Sequence, residues 1–141
     1  MKEVIRIVLS NWINALTVYS CIFLVLFIGE LIPGISTIKE ALYNTFGSLI
    51  VYYLHFWSGF TLLIALLDII LFSYNRELRY TNYKLVLEWI IISSPFIYWF
   101  IKYNQWIFLV AIIAFLIGQY LRRSYIYKIL YPFSKELHRQ F

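Results

Sequence analysis

Charged residues and cysteine are scarce in this chain of 141 residues, and each shortage excludes a class of protein. Charged residues make up 13% of the sequence and hydrophobic residues 62%, whereas about a quarter of an average soluble domain is charged. Because a chain of this composition cannot cover itself with a polar surface, we expect lipid to cover it. The single cysteine, Cys21, lies in an apolar run and cannot form a disulfide within the chain.

Motifs of catalysis and of metal or cofactor binding are also missing from the sequence. There is no glycine-rich phosphate loop, no HExxH pattern and no CxxC pattern. Two histidines, one cysteine and a few scattered acids offer too few convergent ligands for a metal site. We therefore predict no catalytic residues, no bound cofactor and no metal. The basic residues accompany no nucleic-acid recognition motif, so direct binding of nucleic acid is not expected.

Long apolar stretches are present instead, and four of them are long enough to cross a bilayer. The breaker pair Pro33-Gly34 ends the first. Thr37 and Glu40 form a capping-box pattern that predicts the start of a second helix, able to run from residue 38 to residue 73. The sequence thus predicts one all-α domain, an integral membrane bundle of four transmembrane helices. Its spans are about residues 11–32, 48–73, 85–101 and 106–121, with a cytoplasmic loop at 74–84 and a basic cytoplasmic tail at 122–141.

Three local features refine this bundle. The turns before residue 11 have apolar residues at helical spacing, which predicts that they lie along the membrane interface. Pro95 removes a helix hydrogen bond and predicts a kink in the third span, where Ser93 and Ser94 could bind the freed carbonyls. The short polar stretch at 102–105 predicts a tight turn, so that the third and fourth spans form an antiparallel hairpin.

The distribution of lysine and arginine predicts the orientation. Cytoplasmic segments of membrane proteins carry an excess of these residues. Ten of the twelve would lie on one side of the predicted bundle, and Lys39 and Lys102 on the other. We therefore expect an inner-membrane protein with both termini in the cytoplasm. The ten are Lys2, Arg6, Arg76, Arg79, Lys84, Arg122, Arg123, Lys128, Lys135 and Arg139.

Three ionisable residues inside the predicted spans are candidate sites, because charge is costly in a bilayer. His55 is either a proton relay or a neutral side chain that hydrogen-bonds a neighbouring helix. Asp68 is expected to pair with a basic residue of the adjacent loop or of the start of the tail, as a structural clamp. Glu88 has the same interpretation, with Lys84 or a nearby arginine as its partner. His55 and Asp68 lie about 20 Å apart along a helix and cannot touch.

Small and hydroxyl residues form a band on two of the predicted spans. Such residues allow close approach of helices in membranes, so we predict packed seams there. A water-filled path is the alternative interpretation. The band contains Ser58, Thr61 and Ala65, flanked by His55 and Asp68, in the second span, and Ala111, Ala114 and Gly118 in the fourth.

Basic and aromatic residues of the loop and tail are the candidate binding surface. A basic segment directly after a span is expected to lie on anionic lipid of the cytoplasmic leaflet, and its arginine and aromatic residues could equally dock a cytosolic protein. We hypothesise a non-catalytic anchoring or sensing subunit, forming a homo-oligomer, that recruits a soluble partner. The candidate residues are Arg76, Arg79, Arg122, Arg123 and Lys128.

This layout of four short spans with cytoplasmic ends resembles several classes of small bacterial membrane proteins. These are the holins, the bacteriocin-immunity proteins and the membrane subunits of anti-phage systems such as Kiwa. The resemblance concerns organisation only and implies no site residues. It adds anti-phage defence as one setting for the anchoring subunit. An oligomeric, holin-like pore is the alternative function, and a proton-coupled carrier using His55 and Asp68 is a weaker one.

Overall fold

This computed structural model describes the backbone of residues 2–32, 37–74 and 77–139. It describes the side chains of the same residues except for those at 52–57 and 132–139. The described chain contains helices and no strands. The prediction of an all-α protein is confirmed. The elements in order are α1 (Lys2–Leu9), α2 (Trp12–Leu31), α3 (Ile38–Ser48), a π-helical turn (Leu49–Tyr53), α4 (Leu54–Tyr74), a 3₁₀ turn (Leu78–Tyr80), α5 (Thr81–Tyr103) and α6 (Ile107–Arg139).

Three segments of the described chain are long and apolar enough to cross a membrane. They are Lys2–Leu31, Leu78–Tyr103 and Ile107–Tyr131, and a shorter apolar helix covers Ser58–Tyr74. These helices support the prediction of a helical membrane protein. The first segment contains a turn at Ser10 and Asn11, which separates α1 from α2.

The predicted start of the second helix is confirmed by a complete capping box. The Thr37 amide donates to Glu40 Oε2 at 2.8 Å, and the Glu40 amide donates to Thr37 Oγ1 at 3.3 Å. The bond from the Thr37 amide holds the pKa of the exposed Glu40 carboxyl below its usual value. The Phe46 ring then packs on Phe23 of α2 at 5.1 Å. Helix α3 continues through the π turn into α4, close to the predicted run of residues 38–73.

The predicted turn between the third and fourth spans is confirmed at Asn104. This residue has a left-handed backbone with φ of 50°, and its amide donates to the Phe100 carbonyl at 2.9 Å. After the turn, α6 packs back on α5, where Trp89 Nε1 donates to the Ile112 carbonyl at 3.2 Å. The backbone stays helical through Pro95.

Helix boundaries differ from the predicted ones at the loop and at the tail. Helix α5 begins at Thr81 rather than near residue 85, so that Lys84 belongs to the bundle and is buried. Helix α6 continues to Arg139 without a break at residue 122. Ile126 and Leu130 lie one turn apart on its inner face and are 0% and 1% exposed. Their burial explains why the helix does not end where the apolar run ends.

Two hydrophobic clusters form the interior. The larger one unites α2, α4, α5 and α6, and its centre is Phe60, whose ring meets Phe96 and Phe115 edge-on at 5.4 and 5.3 Å. The smaller one unites α1 with the end of α4, the start of α5 and the second half of α6. Its buried members are Val4, Ile7, Phe72, Leu85, Ile126 and Leu130. The first turns of the chain therefore pack against protein through Val4 and Ile7, while Ile5 and Trp12 remain exposed.

The predicted seam on α4 is corrected by the structure, whereas that on α6 is confirmed. Helix α4 buries Phe60, Ile64 and Asp68, and leaves Ser58 and Thr61 exposed. Large side chains face inward because they fill the space between four helices, which small ones would leave empty. On α6 the small band is buried: Ala111 is 4% exposed, Ala114 is 1% exposed, and a Cβ on Gly118 would lie 2.7 Å from Asn14 Oδ1.

Candidate functional site

A layer of buried polar residues separates the two hydrophobic clusters, and we refer to it as the polar layer. In α4, α5 and α6 its members lie at helical spacing between apolar residues of the larger and the smaller cluster. Asp68, for example, lies one turn after Ile64 and one turn before Phe72. The polar layer consists of Ser10, Asn11, Asn14, Asp68, Glu88, Gln119 and Arg122, all of them buried.

Arg122 is the centre of the polar layer and is 0% exposed. Its guanidinium forms ion pairs with two carboxylates: Nη2 with Asp68 Oδ2, and Nη1 with Glu88 Oε1 at 3.3 Å. The two acids come from α4 and α5, and neither side chain is exposed. Because a buried charge is tolerated only when it is paired and hydrogen-bonded, this arrangement holds α4, α5 and α6 together at one level.

The break between α1 and α2 supplies two further acceptors to the same guanidinium. Arg122 Nε donates to Ser10 Oγ at 2.7 Å, and Nη2 donates to the Ile7 carbonyl at 2.9 Å. The Ile7 carbonyl also accepts from the Ser10 amide at 3.0 Å and from Ser10 Oγ at 2.5 Å, so the turn that ends α1 holds this carbonyl and the Ser10 hydroxyl together beside Arg122.

Two asparagines connect the start of α2 to Asp68. Asn14 Nδ2 donates to Asn11 Oδ1 at 3.0 Å, and Asn11 Nδ2 donates to Asp68 Oδ2 at 2.7 Å. Gln119, one turn before Arg122, accepts from its Nη1 at 3.5 Å. Every element of the smaller cluster, and α2 as well, thus sends at least one polar group into the polar layer.

Asp68 and Glu88, which the sequence singled out, both lie in this layer. The expected partner of Asp68 from the start of the tail is Arg122, and the same arginine is the partner of Glu88. Lys84, the other expected partner of Glu88, instead places its ammonium 4.7 Å from the centre of the Phe72 ring. Arg122 was predicted to be a surface residue for lipid or a partner, and its burial corrects that prediction.

Three other sequence candidates lie apart from the polar layer. Arg79, Arg123 and Lys128 are exposed, with Arg123 5.4 Å from the centre of the Tyr127 ring. His55 belongs to α4, but its side chain lies outside the described residues, and so does the whole of Arg76. Among the residues described here, no group of three or more His, Cys, Asp or Glu side chains could hold a metal ion.

Sequence reasoning missed Ser10, Asn11, Asn14 and Gln119. The sequence does contain a sign of them. Each is a polar residue that stands at a position where the helical spacing of the buried apolar residues predicts another buried residue. Asn14 precedes the buried Val18 by one turn, and Gln119 follows the buried Phe115 by one turn.

Comparison of the chain with protein-family models, with curated proteins and with solved structures gives no match.

Proposed function

We propose that this chain is a four-span anchor of the inner membrane, with both termini in the cytoplasm, that recruits a soluble protein to the membrane surface. The recruiting surface would be the exposed face of the second half of α6, around Arg123 and Lys128. The observation that carries the proposal is the burial of Arg122 beside the exposed Arg123. The buried arginine fixes the helix, and the exposed one faces outward from a fixed position.

The four-span topology is supported by the polar layer. It brings together the start of α2, the end of α4, the start of α5 and the second half of α6. An up-and-down bundle requires this meeting of alternating ends. The smaller hydrophobic cluster and most of the lysines and arginines then lie at the same end, which the positive-inside rule assigns to the cytoplasm.

The length of α6 supports a surface beyond the bilayer. Its 33 residues extend about 50 Å at 1.5 Å per residue, against a hydrocarbon core of about 30 Å. Because the turn at Asn104 lies at the opposite end, the excess protrudes on the side of the termini. Tyr120 and Tyr131 are 71% and 55% exposed on this part of the helix, and tyrosine and arginine are enriched at protein interfaces.

The partner that fits this surface is a protein with an acidic, partly apolar patch. Arg123 and Lys128 provide positive charge, and the neighbouring tyrosines provide amphipathic contact area. Anionic lipid is the competing ligand, because a polybasic segment close to a membrane attracts it. The proposal is therefore tested with variants that change charge without changing the helix.

The test compares R123E/K128E with K102E, which reverses an exposed lysine at the other end of the bundle. All are purified from native membranes, and the co-purifying soluble proteins are identified and quantified. We expect the double variant to lose a specific partner by more than about tenfold, since like-charge contacts at an interface cost several kcal/mol. K102E should retain it. An unchanged set of partners in a folded, inserted double variant would refute the proposal.

A further inference from the structure

We propose that Asp68 and Glu88 together bind one proton, held between Asp68 Oδ1 and the Glu88 carboxyl beside Arg122. This is a proton-binding site within the polar layer. It goes beyond the proposed recruiting function and does not depend on it.

The balance of charge in the polar layer favours one bound proton. Two carboxylates and one guanidinium would leave a net charge of −1 in a place where all three side chains are 0% exposed. The groups that reach the polar layer from α1, from α2 and from the turn between them are uncharged: the Ile7 carbonyl, Ser10, Asn11 and Asn14. Helix α6 adds the neutral Gln119 besides Arg122. One proton makes the layer neutral.

Lys84 is the other cation on the buried side of α5, and it does not supply the balance. Its ammonium lies 4.7 Å from the centre of the Phe72 ring in the smaller cluster, and Glu77 is among its neighbours of opposite charge. Glu88 accepts hydrogen bonds from Arg122 Nη1 at 3.3 and 3.4 Å. The acids of the layer therefore share the single positive charge of Arg122.

The hydrogen-bond donors around the two acids also favour one bound proton. Asp68 Oδ2 accepts from both Arg122 and Asn11, whereas the buried Asp68 Oδ1 meets no donor among the groups that the structure describes. The Asp68 and Glu88 carboxylates meet at one guanidinium, because Arg122 Nη2 contacts Asp68 Oδ2 and Nη1 contacts Glu88 Oε1. Two carboxylates offer only acceptors, so a hydrogen bond between them requires a proton on one of them. Two carboxyl groups that share one site commonly retain one proton between them, because both cannot easily be ionised at once.

The site has a consequence for pH. Loss of the proton would place a second, uncompensated negative charge between the two hydrophobic clusters. The stability of the folded chain should therefore fall as the pH rises above the ordinary carboxyl range, where the unfolded chain has already lost the proton, and should level off once the folded pair loses it too. For one proton the limiting slope is about tenfold in the folded-to-unfolded ratio per pH unit.

The decisive measurement is infrared spectroscopy of the full chain in lipid nanodiscs at neutral pH. We expect a C=O stretching band of a protonated carboxylic acid that shifts in ²H₂O. Either D68N or E88Q should abolish it, because the remaining acid then pairs alone with Arg122. E77Q is the matched control, since Glu77 is an exposed acid, and it should leave the band unchanged.

Thermal unfolding supplies a second readout. Above about pH 5, where the carboxyls of the unfolded chain are ionised, the wild type should lose stability along the one-proton slope until the folded pair loses its proton, while D68N and E88Q should lack this component. A wild type without an acid band, whose stability shows no component removed by either variant, would overturn the proposal. That result is the one expected if a water molecule, and not a shared proton, supplies the hydrogen bond to Asp68 Oδ1. The infrared and pH measurements on the wild type remain decisive even if a variant fails to fold.

Discussion

Replacing Arg122 should be far more harmful than replacing its neighbour Arg123, although the two are adjacent and chemically identical. The substitution R122M removes the guanidinium and keeps a long apolar side chain in its place. It leaves the acidic pair of Asp68 and Glu88 buried without a cation, and Ser10 Oγ without its donor from the arginine Nε. R123M removes a side chain that is exposed.

The magnitude follows from the kind of interaction lost. Removing one partner of a buried ion pair costs about 3–5 kcal/mol, because the other charge remains buried and uncompensated. Each neutral acceptor left without a donor adds about 1–3 kcal/mol unless water reaches it. We expect R122M to lose at least about 3 kcal/mol of unfolding free energy, and R123M to stay within about 0.5 kcal/mol of the wild type.

The assay is reversible unfolding in mixed micelles, followed by circular dichroism, on the wild type and both variants. A third variant, R122M/D68N/E88Q, removes the guanidinium and both acidic groups and keeps the shapes of the acids. It should recover much of the loss, because replacing a whole buried ion pair with neutral groups is often close to neutral. Equal effects of R122M and R123M would refute the central role of Arg122. Additive losses in the triple variant would show that the three groups do not act as one network.

Two further predictions concern helix packing and the capping box. G118A should cost about 1–3 kcal/mol in the same assay, because its Cβ would lie 2.7 Å from Asn14 Oδ1 and 3.1 Å from Asn14 Cα; G29A, where a Cβ meets nothing within 4 Å, should not be destabilising. Lowering the pH should weaken the N-terminus of α3, because the Thr37 amide lowers the pKa of Glu40. The stabilisation therefore exists above the ordinary carboxyl pKa and is lost as the pH falls through the lowered pKa of Glu40. Hydrogen exchange of the α3 amides, corrected for the intrinsic rate, should show this loss in the wild type and not in E40Q.

The helical class and several boundaries could be predicted from the sequence because they depend on local signals. The capping box at Thr37 and the turn near Asn104 are made by residues close in the chain. The inward face of α4 could not be predicted in the same way. Ser58 and Thr61 resemble a packing seam when α4 is considered alone, and only the presence of three other helices decides that Phe60 faces inward.

The candidate site was predictable in its acids and not in its arginine. An acid within an apolar helix is conspicuous, so Asp68 and Glu88 could be identified with a basic partner expected nearby. Arg122 and Arg123 stand together at the end of an apolar run, where both resemble interfacial residues. Successive residues of a helix differ by about 100° in direction. Arg122 continues the face of Phe115 and Ile126, both of them buried, whereas Arg123 lies on the exposed side.

The position of the polar layer also explains why a small bundle would retain such a costly group of residues. Two apolar clusters alone would tolerate sliding or rotation of one helix against another, because apolar contacts have little directionality. The guanidinium of Arg122 must meet Asp68, Glu88, Ser10 Oγ and the Ile7 carbonyl together. A shift of α6 by one residue would break all four contacts at once and leave charge buried. The layer thus fixes the register of α6, and with it the outward direction of Arg123, which the proposed recruitment requires.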